Sequence, residues 1–265
     1  MKTLCQLMHL VRIIGGTVLV TTSLTVNAAS FNVLPVRIYM PAERPVASIK
    51  VENKEQTAVT VQSETVLWAQ QDNRQILTPT NELIVSPAIF ELPPGGSQVV
   101  RVAVRGDTPI NQQRTFRLFL SEVPAIEKQS ANATGVTVAL RLSLPIFVTP
   151  KESKAVFSWR LARRCDDATK QDLLVQNLGD QHAMMLKMTL RGETQLEQIY
   201  HPRYVLPDSR AFWPLTTDIS KLPQTLWLDY ETLSGATDSA ELHVDENKCW
   251  QPETVTARPE VSVGG

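Results

Sequence analysis

Few residues in this chain could do covalent chemistry, and none has the spacing that such chemistry needs. Beyond the N-terminal segment the histidines are His182, His201 and His243. None belongs to an HExxH pair, and no GxSxG marks a nucleophilic serine. Asp166-Asp167 and Asp245-Glu246 are adjacent carboxylates, and neighbours on a strand or loop face opposite ways. They read as solvated surface, not as an acid–base pair. Met184 and Met185 beside Leu186 fit core filling. Trp68, Trp159, Trp213, Trp227 and Trp250 are dispersed singly, which suits core or hinge packing better than a sugar-binding platform. No phosphate-binding loop occurs. The chemistry on offer is non-covalent, and no enzyme, metal or cofactor is expected.

The N-terminus bears on the two remaining reactive groups. Met1–Ala28 has the form of a secretory signal peptide: Lys2 and Arg12 are its basic residues, Ile13–Leu24 its apolar stretch, and Val26-Asn27-Ala28 its small-residue cleavage site. Its loss would take the formal net charge from −1 to −3 and remove Cys5. Cys165 and Cys249 would then remain in an oxidising compartment, where pairing is expected. Such a bridge closes a long loop and contributes about 4–5 kcal/mol in the chain-entropy model. A metal site is the alternative, but no CxxC and no nearby histidine pair supports it. The near-neutral balance of 26 basic and 27 acidic residues gives no support to nucleic-acid binding. No later run approaches the roughly 18 apolar residues of a membrane span.

The elements that must position these residues are strands. Ala47–Asn53, Ala58–Trp68, Ser97–Val104 and Thr115–Val123 are β-branched or alternating runs, broken by turns such as Leu92-Pro93-Pro94-Gly95-Gly96. A polar stretch, Pro150–Lys154, precedes a second set: Ala155–Ala162, Asp172–Asn177, Ala183–Leu190, Arg210–Leu215, Thr225–Leu233 and Ala240–Val244. No apolar helical period lasts beyond two turns. The expectation is an all-β chain of two β-sandwich domains, 29–150 and 151–252, with a loose tail over 253–265.

Val136–Val148 stands apart. Val136, Val138, Leu140, Leu142, Leu144, Ile146 and Val148 occupy every second position, which places them on one face of a strand. At about 3.4 Å per residue the run reaches roughly 40 Å, twice a usual strand. Pro145 cannot donate to a ladder and suggests an edge. A long apolar edge strand is either core or a template offered to a partner strand.

The first domain resembles the periplasmic chaperones of the chaperone–usher pilus pathway. The match is carried by Val36-Arg37-Ile38-Tyr39 sixteen residues before Asn53, by Ser86-Pro87-Ala88-Ile89-Phe90, by Leu92-Pro93-Pro94-Gly95 before Val99-Val100-Arg101-Val102, by Phe119–Pro124, and by the closing alternating strand. Leu206-Pro207-Asp208-Ser209 before Trp213 adds a looser match in the second. The resemblance implies two immunoglobulin-like domains at an angle with a cleft between them. It implies pilus or fimbrial subunits and an outer-membrane usher as partners, and the periplasm as location. The donor strand that completes a subunit would be Val136, Val138, Leu140 and Leu142.

Family members hold the subunit's C-terminal carboxylate with a basic pair. Arg37 matches the first member; the second is normally a lysine, and Pro145 stands there. A substitute is sought in Arg101, Arg117 or Lys151, although Arg101 and Arg117 also fit a solvated strand face. An interdomain Glu–Arg ion pair of the family maps onto Gln113 and Thr149, both neutral. Leu144-Pro145-Ile146-Phe147 is similar to the divergent branch called archaic or alternative. A secreted β-sandwich binding module, an adhesin or carbohydrate-binding protein, is the competing class.

Overall fold

The computed structural model describes residues 31–106, 110–124, 139–218, 222–223 and 225–252, with the backbone alone over 243–248. The signal-peptide segment, the C-terminal tail, and Val136 and Val138 lie outside the described residues. Every element of four residues or more that it contains is a strand.

The first ten strands build a two-layer sandwich. One layer orders β1 (Phe31–Leu34), β3 (Val46–Asn53), β8 (Ser97–Val104) and β6 (Leu83–Ser86). The other orders β2 (Ile38–Pro41), β10 (Arg141–Thr149), β9 (Arg114–Val123), β4 (Val59–Gln71) and β5 (Arg74–Pro79), with β7 (Ile89–Leu92) also paired to β4. Period-2 alternation sends Ile49, Val51, Val100 and Val102 inward from one layer, and Val61, Phe116, Leu118, Leu120, Ile146 and Val148 from the other; all are fully buried. Asn53 closes the turn after β3 from inside. Its amide donates to the carbonyls of Thr57 and Leu92, and its side-chain oxygen accepts from the Glu55 N–H. That pairing explains how an amide can be wholly buried.

The remaining strands are β11 (Phe157–Arg164), β12 (Gln171–Asn177), β13 (Ala183–Arg191), β14 (Gln195–Ile199), β15 (Arg203–Val205), β16 (Arg210–Leu215), β17 (Thr225–Thr232) and β18 (Thr237–Trp250). Strand β18 pairs antiparallel with β17 over its first half and parallel with β11 over its second, so it crosses from one layer to the other. Between the layers Leu161, Leu173, Val175, Met185, Leu190, Trp213 and Leu228 form the core. Cys165 and Cys249 are disulfide-bonded, with Cα atoms 5.0 Å apart. The bridge is reinforced from within: Asp172, fully buried, accepts from Arg164 Nε at 2.7 Å and from Trp250 Nε1 at 3.0 Å, the residues next to each cysteine.

The two sandwiches are joined by more than the Pro150–Ser153 turn. The tip of the β4–β5 hairpin reaches into the second domain. Asp72 and Asn73 take left-handed backbone angles there, φ 44° and 68°. Asp72, buried, ion-pairs with Arg210 through both carboxylate oxygens. Asn73 donates to the Phe212 carbonyl and accepts from the Phe212 N–H. Gln70 accepts from the Leu206 N–H and the Ser209 hydroxyl.

Candidate functional site

Strand β10 changes character along its length. Ile146–Thr149 run parallel to Ile38–Pro41 of β2 and antiparallel to β9, so this half is paired on both sides. Arg141–Pro145 pair with β9 alone. Just before the strand begins the Glu122 N–H donates to the Leu140 carbonyl, and the Leu140 N–H donates to the Glu122 side-chain carboxylate. Residues 140–145 therefore form an open sheet edge. Leu140 and Leu142 on that edge point to the core yet remain partly exposed, whereas Leu144, Ile146 and Val148 are buried. The long strand expected from Val136 is thus described as nine residues from Arg141. Pro145 sits where open edge becomes paired interior, so only half of the strand is an edge.

The opposite face of the same layer looks at the second domain. Arg117 lies directly across from Pro145 in the β9–β10 register. Ile38 lies beside Ile146, so Arg37 falls in step with Pro145 on the other side. Two arginines thus flank the proline in one row. Arg37 Nε donates to the Tyr204 hydroxyl at 2.9 Å. The Arg117 guanidinium stacks 3.7 Å from the Trp68 ring centroid, and its Nε is buried without a hydrogen-bond partner. Burial lowers the Arg117 pKa, and Tyr204 acts in the opposite sense. Among the described residues no carboxylate lies within ion-pair distance of either arginine. A charged pair so placed is a site for an anion.

Arg37 bonds Tyr204 and Arg117 lies in the same row, and Arg117 is not the solvated strand residue that its alternation allowed: it is part-buried and stacked on Trp68 from β4. Arg101 lies exposed on β8 in the other layer, between Ser48 and Ser86, far from the cleft row. Lys151 is exposed in the turn after β10. The tryptophans form no surface platform: Trp68, Trp213 and Trp250 are buried, and only Trp227 is clearly exposed, at 39%.

His182 was one of three scattered histidines in the sequence and proves to be central. Its ring stacks on Phe147 with centroids 3.6 Å apart and planes 5° apart, beside Tyr39 and Tyr204. The Gln113 side-chain oxygen accepts from the His182 N–H at 2.8 Å and meets Nδ1 at 2.7 Å. Gln113 also donates to the Thr149 hydroxyl at 2.7 Å. The neutral pair Gln113 and Thr149 therefore still forms a bridge, and extends it to the second domain through His182. Burial pushes the His182 pKa down to about 4. Burial also raises that of Tyr39. No sequence pattern signals His182; only the folded register of β10 against the loop before β13 brings it to Phe147.

Residues 30–154 match the family model described as pili and flagellar-assembly chaperone, PapD N-terminal domain. No curated protein matches the chain in sequence. Among solved structures, the chain is similar to the chaperone in the CsuC–CsuE chaperone–tip adhesion subunit pre-assembly complex of archaic chaperone–usher Csu pili of Acinetobacter baumannii. The TM-score is 0.63 at 19% identity, over 82% of this chain and all of that one. It is similar to the Pseudomonas aeruginosa CupB2 chaperone, with TM-score 0.51 at 19% identity over 79% and 98%. It is also similar to a chain of the Salmonella enterica SafA pilin–SafB chaperone complex, with TM-score 0.53 at 17% identity over 82% and 96%. These structural likenesses show a shared two-domain β-sandwich fold.

Proposed function

We propose that the protein, whose residues 30–154 match the family model described as pili and flagellar-assembly chaperone, PapD N-terminal domain, is a non-catalytic periplasmic chaperone that completes pilus or fimbrial subunits with its own strand and passes them to an outer-membrane usher. The observation that carries the reading is the open edge of β10, with Leu140 and Leu142 aligned on its core-facing side. An extended partner segment added there would satisfy the unpaired backbone groups and cover the apolar side chains in one step. Val136 and Val138 would continue the donor row.

The carboxylate anchor is assigned to Arg37 and Arg117. Their row across Pro145 supports this: Arg117 on β9 and Arg37 just before β2 flank the position where a lysine normally stands. Arg101 and Lys151 lack that placement and are set aside.

The test is co-expression with a small exported β-rich subunit encoded beside an usher. Leu140→Glu should abolish the soluble complex while leaving the chaperone folded. An undiminished complex would contradict strand donation.

A further inference from the structure

We infer that Tyr204 orients the anchor: its hydroxyl, carried by the second domain, holds the Arg37 fork end-on to the arriving carboxylate and offers that carboxylate a further hydrogen-bond donor. The inference rests on the chaperone reading above and deepens its anchor site.

A guanidinium can grip a carboxylate by its side edge, Nε with one Nη, or by its end edge, the two Nη groups. Arg37 Nε already donates to the Tyr204 hydroxyl at 2.9 Å. The side edge is therefore committed and the end edge is left for a ligand. The phenol has one hydrogen and two lone pairs. Accepting from Arg37 uses a lone pair and leaves the O–H free to donate. Among the described residues, Arg37 is the one hydrogen-bond partner of that hydroxyl.

The hydroxyl cannot swing away, because the ring is held on several sides. Trp68 packs edge-on at 5.3 Å and 85°, and Phe147 and His182 lie at 5.8 Å between centroids. Trp68 is also the ring under Arg117. One aromatic cluster thus fixes both arginines and the phenol relative to each other. Because the arginines belong to the first domain and Tyr204 to the second, the receptor is complete only when the domains are docked. Its occupant would be a carboxylate at a chain end: a terminal group on an extended segment can enter a cleft that a mid-chain amide cannot match in charge.

The probe is a synthetic extended peptide with apolar residues at alternate positions, made with a free C-terminal carboxylate and as the C-terminal amide. Both are titrated against the full-length chaperone. The wild type should prefer the acid by about tenfold or more, as expected for charge-assisted hydrogen bonds. Tyr204→Phe keeps the ring and its stacks; it should lower that preference by about threefold to tenfold with little change in amide binding. Arg37→Lys, which keeps the charge but loses the fork, should lose a similar amount, and adding Tyr204→Phe to it should cost little more. A Tyr204→Phe protein that discriminates as the wild type does, or that weakens acid and amide equally, overturns the inference. If Tyr204→Phe fails to fold, the Arg37→Lys result decides: undiminished discrimination overturns it. A wild type that does not distinguish acid from amide overturns the anchor beneath it instead.

Discussion

At the scale of single residues, the cleft is a set of side chains whose charge has been left open on one side. Among the described residues Arg37 and Arg117 have no carboxylate partner, and Tyr204 and Trp68 hold them in place. Replacing Arg117 with alanine removes one charge-assisted contact, worth about 1.5–3 kcal/mol. Subunit affinity measured by titration should fall roughly tenfold to a hundredfold, with the fold retained. The neighbouring His182 gives a pH prediction. Its folded pKa of about 4 lies below the ordinary 6.5. Between those values the unfolded chain takes up a proton that the folded one refuses, so stability falls as pH drops from 6.5 and levels off below 4. The full loss is about 3 kcal/mol. In denaturant titrations across that window, His182→Gln should flatten this part of the pH dependence while its amide still donates to Gln113. Little of this was legible in the sequence. Arg37 could be singled out by its place before Asn53, but Arg117 alternated like any strand residue, and its burial depends on Trp68 from a distant strand. Tyr204 and His182 lie in short segments with no motif, and only the docking of two domains gives them a role.

At the scale of elements, β10 combines a paired interior with an open edge. Its alternation was plain in the sequence, because period 2 survives whatever the strand packs against. Where the pairing stops was not, since β2 is four residues long and carries no strong pattern of its own. The same reason hid β1, β6, β7, β14 and β15: strands of three to five residues offer too few alternations to be distinguished from loops. By contrast β3, β8, β9, β12 and β16 were legible to within a residue or two. The two halves of β10 should respond differently to substitution. Ile146 is fully buried, so Ile146→Ala should cost about 2–5 kcal/mol of stability in a denaturant titration. Leu142 is partly exposed at the edge, so Leu142→Ala should cost less stability while still weakening subunit capture.

At the scale of the whole molecule, the two sandwiches are held together by contacts of the β4–β5 tip and the aromatic cluster. The β4–β5 tip does this with a buried carboxylate, Asp72, clamped to Arg210, and with Asn73 paired to the Phe212 backbone. Asp72→Ala would leave Arg210 without that partner. Because Arg210 is part-exposed, this should destabilise the chain by about 1–3 kcal/mol and broaden the interdomain distance distribution in solution scattering; unchanged scattering would assign the angle to the aromatic cluster instead. Two domains and all-β character were readable from Pro and Gly punctuation and from the polar stretch at Pro150–Lys154. The contacts that fix the angle were not, because they join residues far apart in sequence, such as Asp72 with Arg210 and Gln113 with His182. The most direct measurement of the central claim is amide hydrogen exchange on the chaperone, free and bound to a subunit. Strand donation predicts new protection at residues 139–145, with 146–149 already protected in the free chain by β2 and β9. A subunit complex in which 139–145 exchange as fast as in the free chaperone would contradict it.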